Sequence, residues 1–200
     1  MPRLKVVALT GAVLTVAGVK LLAATADQLF SIHMVQHLLL ITVAAPLMVL
    51  GGLKTRLSPL LGWLIFVTIF LFWHWPAAFQ WAARHPLGEM LELASILVAS
   101  IVFWSCVLGP GPLSDGARAL LVMTAAVVTD LPGVVMLFAP RAICVMPGEN
   151  AVRFGLTSLQ DQQIGGLLMW VPANLIFFGI ATFLFARWIG AEDDRRPIGF

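Results

Sequence analysis

Long apolar stretches, separated by short polar ones, occupy almost the whole chain. A helix needs about 20 apolar residues to cross the hydrocarbon core of a bilayer. The six apolar stretches lie at roughly 6–26, 29–52, 57–75, 92–110, 118–139 and 162–187. The pattern predicts an all-α fold, a polytopic bundle of about six transmembrane helices that forms a single domain over residues 1–200.

The composition supports a membrane environment. The chain is 60% hydrophobic and only 11% charged, and its mean hydropathy is +0.96. A soluble domain carries about 25% charged residues, so most of this surface must contact lipid rather than water. The net charge of +2 gives no reason to expect nucleic acid as a partner.

Lysine and arginine residues predict how the bundle is oriented, because cytoplasmic loops carry an excess of them. With a cytoplasmic N-terminus, the outer side holds only Arg84, Arg141 and Arg153. The inner side then holds Arg3, Lys5, Lys54, Arg56, Arg118, Arg187, Arg195 and Arg196. Both termini are therefore predicted to be cytoplasmic. An alternative for the first stretch is a cleaved signal peptide, because its apolar run ends in Ala24-Thr25-Ala26.

A histidine pair lies near the predicted outer end of the second stretch. His33 and His37 are four residues apart, so their rings share one helix face and can bind a single metal ion. Met34 can reach the edge of the same patch, and imidazole with thioether is a donor set that suits Cu(I). The alternative is that the histidines form hydrogen bonds between helices without any metal.

Other candidate ligands fall on the same predicted side. His74 closes the third stretch, and a haem site would need it, because two histidines on one helix face cannot bind iron from opposite sides. Cys144 and Met146 are soft donors in the last outer loop, and Asp161 opens the sixth stretch. These three residues are secondary candidates.

Asp130, the fourth secondary candidate, lies inside the fifth stretch, where a carboxylate is costly. It either pairs with a histidine, binds a proton or cation, or satisfies backbone groups that Pro132 leaves free.

Several features have purely structural explanations. Glu89 and Glu92 lie near the start of the fourth helix, where the helix dipole favours acids. Pro46 and Pro172 are each expected to kink a span. The Trp-rich stretch from residue 72 to 81 predicts an interfacial segment or a short helix that lies flat on the membrane.

Four motifs together resemble the CtaG-type cytochrome c oxidase assembly factors, the multi-helix family linked to caa-type oxidases. These are Phe30-Ser31-Ile32-His33-Met34-Val35-Gln36-His37 with the following Ala45-Pro46-Leu47, then Trp73-His74-Trp75-Pro76, then Phe103-Trp104, and finally Asp161-Gln162-Gln163 followed by Gly165-Gly166-Leu167-Leu168-Met169-Trp170. The family often has a second histidine pair on the next helix. The matching positions here are Gly88 and Leu93.

The resemblance implies a non-enzymatic role in maturing a haem-copper oxidase in the bacterial inner membrane. It implies Cu(I) held at the periplasmic face by His33, His37 and His74 or Met34, and oxidase subunits and a periplasmic copper chaperone as partners. Two alternatives remain from the residues themselves. One is a haem- or quinone-holding subunit of a respiratory complex, and the other is a small-molecule permease.

Overall fold

The computed structural model describes residues 2–147 and 150–193, and these are helical over most of their length. The helices are α1 (Pro2–Ala26), α2 (Phe30–Leu39), α3 (Ala45–Gly51), α4 (Pro59–Trp73), α5 (Pro76–Ala82), α6 (Pro86–Leu108), α7 (Asp115–Phe138) and α8 (Ser158–Asp193). A π-helical turn, Leu40–Ala44, joins α2 to α3, and a 3-10 turn, Asn150–Phe154, precedes α8. Arg195 and Arg196, which contributed to the predicted orientation, lie outside the described residues.

Within residues 2–147 and 150–193, five continuous helices are long and apolar enough to cross a membrane. They are Arg3–Ala26, Phe30–Gly51, Pro86–Leu108, Asp115–Phe138 and Ser158–Ala191. The bent pair α4 and α5 can count as a sixth span. The structure thus confirms the prediction of an all-helical membrane protein with about six spans. The orientation across the membrane stays a prediction.

Proline residues determine where several helices begin. Pro59, Pro76 and Pro86 occupy the first positions of α4, α5 and α6. Proline costs no hydrogen bond there, because an N–H at the first position has no acceptor within the helix. Pro76 also prevents α4 from continuing, so α5 turns away at 74° and His74 remains at the bend. The Trp-rich stretch therefore contains a short helix, α5, at a steep angle to the span before it.

The kink expected at Pro46 takes the form of the π-helical turn. In such a turn each carbonyl accepts from the N–H five residues later, and the residue five positions after Ile41 is Pro46, which has no N–H. The indole Nε1 of Trp104 donates to the free Ile41 carbonyl at 2.7 Å. The Phe103-Trp104 motif of α6 thus stabilises the irregular turn directly below the histidine pair.

Small residues let α8 pack closely against its neighbours. A Cβ atom added at Gly166 would lie 2.7 Å from the carbonyl oxygen of Gly133 in α7. One added at Gly165 would lie 2.5 Å from the Phe30 ring of α2. Such close approach is typical of helix interfaces in membranes. It brings α2, α7 and α8 together and fixes the position of the histidine pair.

Candidate metal site

One end of the bundle, which we call the histidine end, brings together the starts of α2, α6 and α8 with the end of α4. Here the Nε2 atom of His33 lies 3.3 Å from Oε1 of Glu92, and Nε2 of His37 lies 3.4 Å from the same oxygen. The three side chains are 1–2% exposed. Their ligand atoms lie within 4.8 Å of one another, so the group could hold a metal ion.

Glu92 is fixed by contacts that connect α4 to α6. The indole Nε1 of Trp73 donates to the Ser95 hydroxyl at 2.7 Å, and that hydroxyl donates to the backbone carbonyl of Glu92 at 3.1 Å. Trp73 closes α4 immediately before His74. The same contact therefore fixes the position of Glu92 in α6 relative to His74 at the end of α4.

His74 contacts His37 but is not one of the three grouped residues. Its Nδ1 lies 2.7 Å from the carbonyl oxygen of Phe70, which can only accept, so Nδ1 carries a proton. In a neutral His74 the Nε2 atom is then an acceptor, and it faces Nδ1 of His37 at 3.4 Å. His37 therefore donates from Nδ1 and keeps a lone pair on Nε2, which faces Glu92.

Lone pairs and negative charge therefore meet at the centre of the group, where His37 Nε2 faces the Glu92 carboxylate. His33 Nε2, His37 Nε2 and the carboxylate of Glu92 contact one another, and these atoms have no hydrogen-bond partner outside the group among the described residues. Buried polar atoms without partners are costly, and a buried carboxylate needs a compensating charge. A cation bound between the three side chains meets both needs, either as a proton on an imidazole or as a metal ion.

Asp161 lies close to this group but acts on the backbone. Its carboxylate oxygens accept the N–H groups of Phe30 at 2.7 Å and Ser31 at 3.0 Å. These are the first free N–H groups of α2, so a residue of α8 caps the helix that carries both histidines. Each carboxylate oxygen of Asp161 thus accepts one hydrogen bond from the first turn of α2.

Gln162 and Gln80 attach the loop after α7 to the bundle. The Gln162 side chain accepts the N–H groups of Ile143 at 2.6 Å and Cys144 at 2.9 Å, and donates to Met136 at 2.9 Å. Gln80 of α5 donates to the carbonyl of Val145 at 3.1 Å. The loop is therefore held from two sides.

Cys144 is fully buried in this loop. Burial, together with the negative charge of nearby Glu92, raises the pKa of the Cys144 thiol to about 12. The thiol is therefore protonated at neutral pH. The influence of Glu92 on its pKa indicates that Cys144 lies near the metal group.

The remaining predicted residues lie outside the group. Met34 packs against Gly165 of α8, and Met146 is buried beside Asp161 around a small cavity. Asp130 accepts the side-chain amide of Asn174 at 2.9 and 2.8 Å. This amide is a further partner beside those expected for Asp130, and binding of a proton or cation there stays a prediction.

Comparison with known proteins adds a family. The model of the cytochrome c oxidase caa3 assembly factor family, Caa3_CtaG, matches residues 3–57 and 53–191. The chain belongs to this family. A search of curated proteins finds no match, and a search of solved structures finds none either. As a Caa3_CtaG member, the chain is a multi-pass membrane protein of cytochrome c oxidase assembly, which implies interaction with that oxidase.

Glu92 is the residue that sequence reasoning missed. The helix dipole accounts for an acid near the start of α6, but it does not explain why Glu92 is 1% exposed and faces two imidazoles. The available signal was its position, six residues inside a helix long enough to span the membrane, where an ionisable group is by default functional.

Proposed function

We propose that this Caa3_CtaG protein binds copper as cargo between His33, His37 and Glu92 during oxidase assembly. The observation that carries the proposal is the set of buried ligand atoms, contributed by two imidazoles and one carboxylate, that lie together without a hydrogen-bond partner from outside the group among the described residues. His74 orients His37 through its second nitrogen, as outer residues orient metal-binding histidines elsewhere. Met34 lies against α8 and is not needed as a ligand in this arrangement.

The net charge of the group supports a monovalent copper ion. Two neutral imidazoles and one carboxylate carry a net charge of −1, so a bound Cu(I) ion makes the site neutral, as a low-dielectric interior favours. Imidazole binds copper well. Cys144 is the nearby soft donor to which Cu(I) can pass as it leaves the group. The Cys144 thiol loses its proton as its sulfur binds the metal, and the vacated Glu92 carboxylate can accept that proton.

The geometry favours copper over haem or quinone. The cavity that His37 lines has a volume of about 30 Å³, which suits a few water molecules at most. His74 borders a larger apolar cavity of about 570 Å³, but both of its ring nitrogens already have partners. Neither nitrogen is free for haem iron or for a quinone oxygen.

Copper binding to the purified full-length chain tests the proposal. We expect a single Cu(I) ion per chain, and we expect the His33→Ala, His37→Ala double variant to lose it. Glu92→Gln keeps the side-chain shape but removes the charge, and should weaken Cu(I) binding roughly tenfold or more. His85→Ala is the control, because the His85 side chain lies at the same end but is exposed and contacts the backbone carbonyl of Trp81 rather than the group. Unchanged copper content in the double variant would refute the proposal.

We also propose that the histidine end faces the periplasm of a bacterial inner membrane, where a copper chaperone can reach it. The support is the Lys and Arg distribution. In a chain without Cys106 and Cys144, Arg153→Cys at the histidine end should react with a membrane-impermeant thiol reagent on intact cells. Lys54→Cys at the opposite end should react only after lysis. The reverse pattern would overturn the orientation.

A further inference from the structure

A second cavity lies between α1, α2 and α6, on the side of α2 away from α8. Its volume is about 230 Å³. α1 packs on α2, the π-helical turn and α3 rather than on α6, and this leaves the space between α1 and α6. Most of the wall is aliphatic, contributed by Val16, Val19, Leu40, Leu93 and Leu97.

The cavity contains a buried amide that is only half satisfied. The Gln36 side chain is 0% exposed. Its Nε2 donates to the carbonyl of Val19 in α1 at 2.9 Å, whereas its Oε1 has no partner among the described residues. A buried oxygen of this kind is costly unless a donor reaches it. A ligand for this cavity should therefore carry an N–H or O–H group.

Opposite charges lie on the two walls of the same cavity. Lys20 belongs to α1 and Glu89 to α6, and both line the space with Gln36. Among the ion pairs of the described residues, none joins Lys20 to Glu89. The space between them can therefore accept a ligand that carries both a positive and a negative group.

We propose that this cavity binds the head group of an ethanolamine phospholipid. The ammonium group donates to Glu89 and to the free Oε1 of Gln36, and the phosphate binds Lys20. The upper part of an acyl chain packs on the aliphatic wall, and the remainder lies in the bilayer. The proposal goes beyond copper binding and does not depend on it.

The position of the charged residues supports a lipid head group. Glu89 lies in the first turn of α6, and Lys20 lies in the last third of α1, whose end is Ala26. A lysine at that depth extends its ammonium group towards the interface. Both charges are therefore near the level at which phospholipid head groups lie.

The three groups also discriminate between lipids. Phosphatidylcholine has the same charges as phosphatidylethanolamine, but its methylated nitrogen has no N–H for Gln36 and Glu89. Phosphatidylglycerol has a phosphate for Lys20 but no cation for Glu89. The donor requirement and the charge requirement together select the ethanolamine head group.

Lipid retention by the full-length chain tests this assignment. The purified protein is reconstituted in nanodiscs with equal amounts of the three lipids, extracted in mild detergent, and examined by native mass spectrometry. We expect phosphatidylethanolamine to be retained about tenfold more than phosphatidylcholine, as the loss of a charge-assisted hydrogen bond implies. Equal retention of the three lipids, or a preference for either of the other two, would overturn the proposal.

Variants attribute the retention to the cavity. Glu89→Gln and Lys20→Met change partly or fully exposed side chains, so both variants should fold. Glu89→Gln should reduce the preference for phosphatidylethanolamine about tenfold, whereas Lys20→Met should reduce the retention of all three lipids, because each of them carries a phosphate. Gln36→Met should reduce the preference in the same way as Glu89→Gln. Lys5→Met is the matched control, because Lys5 is an exposed cation of α1 that does not line the cavity. A preference that persists in Glu89→Gln, or an unchanged lipid retention in Lys20→Met, would refute the site.

Discussion

At the scale of single residues, the protonation of one nitrogen determines the role of the next. The Phe70 carbonyl fixes the proton on His74, and His74 in turn fixes the tautomer of His37. Glu92 then faces a lone pair rather than an N–H group. The imidazole spacing predicts a metal ligand pair, but the direction in which each nitrogen points depends on two other helices.

The first prediction concerns His74. His74→Ala should weaken Cu(I) binding roughly tenfold to a hundredfold without abolishing it, because outer residues tune metal ligands to that extent. Competition with a chromophoric Cu(I) chelator measures the change. Complete loss of copper would mean that His74 is itself a ligand, and an unchanged affinity would mean that its contact with His37 has no influence.

The second prediction concerns Cys144. Because its thiol pKa is raised to about 12, the reactive thiolate is nearly absent at neutral pH and forms only as the pH approaches that value. In a Cys106→Ala background, alkylation by a small maleimide should stay slow between about pH 7 and pH 10. The denatured chain should react fast at pH 8.5, near the ordinary thiol pKa. Rapid alkylation of the folded protein at pH 7 would contradict the burial of Cys144.

At the scale of helices, α8 organises the histidine end without contributing a residue to the metal group. Asp161 caps α2, and Gln162 binds the loop that carries Cys144. Two adjacent residues thus position both α2, which carries the histidine pair, and the loop that carries Cys144. The Asp161-Gln162 pair therefore has a structural role in this chain.

The third prediction concerns the cap. Asp161→Ala leaves the N–H groups of Phe30 and Ser31 buried without an acceptor. The substitution should lower the free energy of unfolding by about 1–2 kcal/mol and reduce Tm in detergent. Asp27→Ala, an exposed acid just before α2, should change stability little. Equal effects of the two substitutions would contradict the capping role.

At the scale of the whole molecule, the bundle depends on the close approach of α8 to α7 and α2. Gly166 and Gly133 face one another across α7 and α8, and Gly165 lies under the Phe30 ring. Lipid supplies little hydrophobic driving force between helices, so close packing contributes most of the association. The position of the histidine pair therefore depends on glycines that touch no metal ligand.

The fourth prediction compares two glycines of α8. A methyl group at Gly166 meets backbone atoms of α7, so Gly166→Ala should cost about 1–3 kcal/mol. Gly179→Ala meets nothing within 4 Å, and should leave stability unchanged or raise it by up to about 1 kcal/mol. Thermal unfolding of both variants in the same detergent gives the comparison. Equal stability of the two variants would refute close α7–α8 packing.

The amino-acid sequence by itself determined the environment, the helical class, the approximate number of spans and the family. Those properties depend on local apolar runs and on contiguous motifs. The i, i+4 spacing of His33 and His37 likewise follows from one helix alone.

Only the tertiary structure decided which side chains share the site. Glu92 and His74 reach the histidine pair from α6 and α4, whereas Asp161 is directed to the backbone of α2. The rotation of each helix about its own axis decides these contacts. That rotation depends on packing at positions such as Gly166, Trp104 and Trp73, and hydropathy along the chain does not encode it.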